Sequence, residues 1–252
     1  MSAVLIIAGC DSSGGAGLSR DVATLAQLGA EALCALTAVT AQTDSAVLSV
    51  HPLAPQLVRA QIASALASGR VEAIKIGMLA TCDNVCAVAD SVPAREVVPL
   101  VLDPVLAASS GGALLEPAGV AALRERLLPR ATLLTPNIPE AAALLGTTPA
   151  QSEAELLRQG RALLALGAQA VLLKGGHAGG REATDLLLTG RGELRHFSAP
   201  RQTAGRRGTG CALAAAIAAG LAAGLELSAA CARAKEYVSA WLRADRDTTN
   251  TR

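Results

Sequence analysis

Four consecutive residues carry the strongest chemical suggestion in this chain: Gly208-Thr209-Gly210-Cys211, running directly into Ala212 and an alanine-rich stretch. Alanine is the best helix former, so a helix is predicted to begin here. Its first backbone N–H groups lack intrahelical partners. With the positive end of the helix dipole, they favour an anion such as a phosphate. Cys211 would stand at the mouth of that helix, where thiol pKa values tend to fall. A polyphosphate gripped by amides beside a proton-accepting thiol is a layout for phosphoryl transfer to a hydroxyl. The same residues also read as a glycine-bearing loop ahead of a core helix with a buried cysteine. The rest of the chain must decide.

The elements needed to position such a site alternate along the sequence. Val4 to Ala8 is a short apolar run that reads as a buried strand, entering the glycine-rich stretch Gly9 to Gly17. Helical spacing follows from Leu18 to Leu28, then a strand from Ala32 to Thr37, a helix from Pro55 to Ser68 and a strand from Ala73 to Leu79. Val97 to Asp103 is a strand, Pro117 to Leu128 a helix, and Thr132 to Thr135 a strand with a helix starting near Glu140. Glu153 to Leu166 is helical and Ala170 to Leu173 a strand. Thr184 to Thr189 and Glu193 to Ala199 form a hairpin. The Cys211 helix and another from Ser228 to Leu242 close the chain. This alternation predicts an α/β fold: one doubly wound, mostly parallel central sheet with helices on both faces. Residues 1–245 form a single domain on this reading, with 246–252 a frayed polar tail. Ligands in such sheets bind beyond the carboxyl ends of the strands. Gly14, Asp103, Asn137, Lys174 and the Cys211 loop all fall there.

Composition removes several alternatives. A net charge of +1 over 252 residues points to neither nucleic acid nor a membrane surface. Hydrophobic residues make up 51% and aromatics only 1%, so Ala, Leu and Val must build the core. The apolar run from Cys211 to Leu225 is short of a membrane span. Cys10, Cys34, Cys82, Cys86, Cys211 and Cys231 show no paired framework, and no secretory signal stands at the N-terminus; reduced thiols in the cytoplasm are expected. The dinucleotide fingerprint, the P-loop pattern and the G-x-S-x-G elbow are all absent. His51, His177 and His196 lack metal-ligand spacing.

Several stretches together resemble a known family. Ser12-Ser13-Gly14-Gly15-Ala16-Gly17 with Asp21, Lys75-Ile76-Gly77-Met78-Leu79 and Val101-Leu102-Asp103-Pro104-Val105 are similar to hydroxymethylpyrimidine/phosphomethylpyrimidine kinases of the ribokinase-like superfamily. So are Thr135-Pro136-Asn137-Ile138-Pro139-Glu140-Ala141, Leu173-Lys174-Gly175-Gly176-His177 and Gly208-Thr209-Gly210-Cys211. The resemblance implies phosphorylation of 4-amino-5-hydroxymethyl-2-methylpyrimidine by ATP with Mg²⁺, then of its monophosphate, in thiamin biosynthesis by a cytoplasmic homodimer. It implies that Gly9, Asp21, Gln42 and Met78 contact the pyrimidine. Lys174 and Asn137 would meet ATP together with the Gly208 and Gly210 amides, and Asp103 and Glu140 would hold Mg²⁺. Cys211 would take the hydroxymethyl proton, with Gly208, Thr209 and Gly210 stabilising the transferred group.

The chain departs from the family pattern in places. Gly205-Arg206-Arg207 stands where the family usually has Asn-Thr-His. Ser109 replaces a usual lysine, Ser19-Arg20-Asp21 replaces Gln-Ala-Asp, and Thr43 replaces the usual asparagine after Gln42. Arg206 and Arg207 are expected to supply phosphate charge. Two rival readings are a pyridoxal/pyridoxine kinase and a non-catalytic pyrimidine-binding protein.

Overall fold

Strand β1 (Ala3–Asp11) is apolar over nearly its whole length because both of its faces are covered. The computed structural model describes residues 2–175, 181–202 and 206–249, so Gly176, His177, Gly205 and the last three residues lie outside the described residues. The described residues form a nine-stranded sheet in the order β3-β2-β1-β4-β5-β6-β7-β8-β9. Its remaining strands are β2 (Glu31–Gln42), β3 (Val47–Pro52), β4 (Val71–Ile76), β5 (Leu100–Leu102), β6 (Leu133–Leu134), β7 (Ala170–Leu173), β8 (Glu182–Thr189) and β9 (Leu194–Pro200). Pairings from β2 through β1, β4, β5 and β6 to β7 are parallel. β3, β8 and β9 add antiparallel margins.

The two-residue repeat of the strands sorts the core into two layers. Leu5, Ile7, Ile74, Ile76, Leu100 and Leu102 face one way. There they meet α2 (Pro55–Ala67), α3 (Cys82–Ser91), α4 (Pro117–Ala122), α5 (Ile138–Leu145) and α6 (Glu153–Ala165) through such residues as Ile62, Val85 and Leu144. Val4, Ile6, Ala8, Ala73 and Val101 face the other way, onto α1 (Gly17–Gln27), α7 (Thr209–Ala222) and α8 (Leu227–Thr249). Ala212 through Ala219 are all buried in α7. Their small side chains let this helix lie close to both the sheet and α8; a Cβ added at Gly220 would stand 3.0 Å from the Cβ of Ala230.

Some boundaries differ from the sequence reading. β2 runs on to Gln42, and β3 pairs back along it antiparallel, from Ala38 opposite Pro52 to Gln42 opposite Val47. Leu48-Ser49-Val50-His51 alternates apolar and polar residues over only four positions and is nowhere fully buried, so pairing with β2 decides its form. β5 starts at Leu100 rather than Val97, which is 74% exposed. α8 continues to Thr249, so the expected tail is helical at its start.

Candidate active site

The carboxyl ends of the strands open onto a cavity of about 900 Å³, lined by Gly9, Gln42, Met78, Asp103, Lys174 and the turn ahead of α7, among others. That turn is shaped by Gly208, whose φ of 77° lies in the left-handed region. A side chain there would collide with the Gly15 carbonyl, so glycine is required on both counts. No side chain caps α7. Its leading amides, at Thr209, Gly210 and Cys211, therefore belong to the cavity wall rather than to a capping group.

Opposite this turn, Asp103 follows β5 and is 2% exposed. Its Oδ1 accepts from Lys174 Nζ at 2.8 Å and from Thr135 Oγ1 at 3.2 Å. Lys174 Nζ also lies 3.6 Å from Glu140 Oε2. Asn137 and Glu140 form a capping box at the start of α5: the Glu140 N–H donates to Asn137 Oδ1 at 2.8 Å, and the Asn137 N–H donates to Glu140 Oε2 at 2.7 Å. The Lys174 N–H donates to the Pro136 carbonyl at 2.9 Å, which sets lysine and helix start side by side. Burial raises the Glu140 pKa, with Lys174 opposing and Asp103 adding to the rise. Burial works against the Lys174 ammonium, but Asp103 and Glu140 hold its pKa above the ordinary value. Glycine at 210 keeps that ammonium accessible, since a Cβ there would stand 3.1 Å from Nζ.

Asp103 and Glu140 present hard carboxylate oxygens to the same point, on either side of a cation. Mg²⁺ is commonly held by one or two carboxylates plus substrate phosphates, and this donor set fits that pattern. Among the described residues no cluster of three acidic, histidine or cysteine ligands exists, so phosphate oxygens and water would complete the shell.

On the glycine-loop side, Gly9 and Met78 are in mutual contact range, a Cβ at Gly9 falling 2.8 Å from Met78 Sδ. Gln42 lines the cavity, its Oε1 accepting from Thr40 Oγ1 at 3.3 Å. Asp21 lies behind the surface of the cavity. Its side chain is 0% exposed and does not line the cavity; it accepts from Lys75 Nζ at 2.6 Å, and Lys75 is equally buried. Helix α1 presents Asp21 inward toward β4, and its partner Lys75 is among the residues lining the cavity. Burial raises Asp21 to about 6, against the pull of Lys75.

The thiol also behaves differently from the expectation for a helix mouth. Burial pushes Cys211 up to about 11; Lys75 works in the other direction without overcoming it, and Asp21 and Asp103 add to the rise. Desolvation outweighs the helix dipole here. Arg207 is the second residue with an unexpected place. Its guanidinium is bound to Asp11, Ser13, Thr43 and Asp44 rather than left open to a phosphate. Asp11 was missed by sequence reasoning, although an aspartate leading a glycine loop is a known turn-forming signal. Ser109 is exposed on the cavity rim.

With this geometry in place, comparison with known proteins is decisive. A family model described as phosphomethylpyrimidine kinase matches residues 11–251. The chain belongs to the phosphomethylpyrimidine kinase family. It is 49% identical over 214 residues to the hydroxymethylpyrimidine/phosphomethylpyrimidine kinase of Escherichia coli, covering 84% of this chain and 80% of the relative. Among solved structures, an ADP complex of Bacillus subtilis pyridoxal kinase superposes with a TM-score of 0.84 at 33% identity, covering 94% of this chain and 89% of that one. A Clostridium difficile phosphomethylpyrimidine kinase gives a TM-score of 0.83 at 32% identity, with 96% and 100% covered. This family member thus has a kinase fold: a large central sheet flanked by helices.

Proposed function

We propose that this kinase phosphorylates 4-amino-5-hydroxymethyl-2-methylpyrimidine with ATP, and then phosphorylates the monophosphate to the diphosphate, in thiamin biosynthesis. The observation that carries the reading is the convergence, in one cavity, of the uncapped start of α7, the Lys174–Asp103–Glu140 cluster and the Cys211 thiol. Family membership supplies the substrate class.

The pyrimidine is assigned to the side walled by Gly9, Gln42 and Met78, where the Gln42 amide offers both a donor and an acceptor to an aminopyrimidine edge. The ATP phosphates are assigned to Lys174, Asn137 and the amides of Gly208, Thr209 and Gly210. Asp103 and Glu140 would hold Mg²⁺, which supplies charge neutralisation of the phosphates. Cys211 accepts the hydroxymethyl proton as the substrate oxygen bonds to the terminal phosphorus and the bond to the ADP oxygen breaks. Only the thiolate can take that proton, so the Cys211 thiol must first lose its own to solvent; Lys75 favours the thiolate, against the burial that pushes the thiol up to about 11. The α7 amides stabilise the charge on the transferred group, a contribution worth about 10²–10³-fold per donor in comparable oxyanion sites.

The finer architecture belongs to the same reading: a single doubly wound, mostly parallel domain over residues 1–245, in a cytoplasmic homodimer. Free cysteines throughout and an edge strand carrying Leu48 at 70% exposure support the cytoplasmic and dimeric parts. Among the described residues no helix is long and apolar enough to cross a membrane. A second reading, pyridoxal phosphorylation, is supported by the B. subtilis structural neighbour. Incubation with each ring alcohol and Mg·ATP, followed by product analysis, tests both. Mono- and diphosphate from the pyrimidine are expected; turnover of pyridoxal alone would overturn the assignment.

A further inference from the structure

The arginine that precedes the turn ahead of α7 is already engaged with protein groups. Asp11 closes β1 and is 5% exposed. Its Oδ1 accepts from the Ser13 N–H at 3.0 Å and from Ser13 Oγ at 2.9 Å, and its Oδ2 accepts from the Ala16 N–H at 2.9 Å. All of these donors are neutral. Arg207 supplies the opposite charge, Nη2 donating to Asp11 Oδ2 at 2.9 Å. The other arm of the fork, Nη1, donates to Ser13 Oγ at 2.9 Å and to the Thr43 carbonyl at 2.7 Å, with Asp44 Oδ1 at 3.4 Å. One guanidinium therefore joins three segments far apart in sequence: the glycine loop, the turn between β2 and β3, and the start of α7. Turning it toward a phosphate would leave a buried carboxylate without its counter-charge, which is strongly unfavourable.

The joined segments are those that define the site. A side chain on Gly208, the next residue, would run into the Gly15 carbonyl, so the two loops pass close together. Ser12 and Gln42 exchange hydrogen bonds across the loops, Ser12 Oγ donating to the Gln42 carbonyl at 3.2 Å and the Gln42 N–H donating back at 2.9 Å. Arg206 stacks on Trp241 of α8, its guanidinium carbon 4.1 Å from the ring centroid. Trp241 is the sole tryptophan of the chain, so its fluorescence reports on the same turn.

We propose that Arg207 is a positioning residue, clamping the turn ahead of α7 to the Asp11 loop and to the Gln42 segment so that the phosphate amides and the pyrimidine wall keep a fixed separation. The proposal rests on the kinase reading for its consequence in catalysis, and on contacts alone for the clamp. It replaces the expectation that Arg207 supplies charge to a phosphate. A misplacement of about 1 Å between reacting groups costs on the order of 10²-fold in rate.

The test compares Arg207→Ala, Arg207→Lys and Asp11→Asn in the full chain, by hydrogen–deuterium exchange, Trp241 fluorescence and steady-state kinetics on the unphosphorylated pyrimidine alcohol. Arg207→Ala should speed exchange in both 12–16 and 42–46 and shift the Trp241 emission. It should also lower kcat/KM for the alcohol by about 10²-fold, with kcat falling and KM rising. Arg207→Lys retains the charge but not the fork, so it should recover part of the loss. Asp11→Asn should reproduce the pattern, and the double variant should be no worse than the poorer single one. Unchanged exchange in both segments would overturn the clamp, as would a kinetic defect confined to the KM of ATP or to the phosphorylated substrate. If Arg207→Ala fails to fold, Arg207→Lys carries the same exchange comparison. A parent protein that forms no ADP from the alcohol counts against the kinase reading, while the exchange data still decide the clamp.

Discussion

Two lysines stand toward the carboxyl ends of β4 and β7 in the same sheet, each paired with a carboxylate, and they differ in one respect. Lys75 and Asp21 are sealed from solvent at 0% exposure each. Lys174 keeps 14% of its side chain exposed, against 2% for Asp103 and 10% for Glu140. In the sealed pair the partner cannot be exchanged, so the cation is fixed in place and acts on the cavity as a standing field. In the open cluster a phosphate oxygen or a metal ion can enter between the groups. The same residue types thus form a sealed pair in one place and a partly open cluster in the other, according to access.

The largest expected effect breaks the sealed pair. Asp21→Ala leaves an uncompensated buried ammonium and should lower stability by about 3–5 kcal/mol, read by urea denaturation. The double variant Asp21→Leu/Lys75→Met should recover much of that loss, because two buried charges disappear together. If the single change is neutral, the pair is not sealed in solution.

Opening the comparison from the other side, Lys174→Ala should cost about 10²–10³-fold in kcat/KM for ATP. Its thermal unfolding should change far less than that of Asp21→Ala. Equal thermal damage from both variants would erase the distinction drawn here.

The thiol between the two lysines gives a pH prediction. Cys211 stands at about 11 when folded against the ordinary value of 9.0, so between those values the folded state binds more protons than the unfolded one. This group's contribution to stability therefore falls as pH rises across that window. Alkylation of Cys211 by iodoacetamide should be slow at pH 8 and accelerate toward pH 11. A fast reaction at pH 7 would mean that Lys75 outweighs burial after all. The smallest effect is expected from Gly210→Ala, whose new Cβ only crowds the flexible end of Lys174. It should raise the KM for ATP a few-fold without loss of thermal stability, as alanine gains about 1 kcal/mol over glycine in helix propensity.

The alternation of strands and helices, the location of ligand-handling residues beyond strand ends and the start of α7 were all written locally. Apolar runs of four or more residues, glycine punctuation and an alanine-rich helix need no distant partner to be recognised. The pattern stretches around Asp103, Asn137, Lys174 and Cys211 were likewise legible, because backbone turns and helix starts demand particular residue types. By contrast, β3 is made by pairing with β2, and the four-residue alternation from Leu48 to His51 is a weak signal on its own.

Charge partners were the least legible of all. Asp21 is expected at the pyrimidine from the family resemblance alone, whereas its pairing with Lys75 comes from the packing of α1 against β4. Arg207 looked like a phosphate ligand because it precedes the anion turn, yet Asp11 lies 196 positions away along the chain and claims it in space. The chemical groups at the site were thus fixed by residue type and local backbone. Tertiary structure alone decided which of them meet substrate and which hold one another, because a charge is captured by the partner that folding buries beside it.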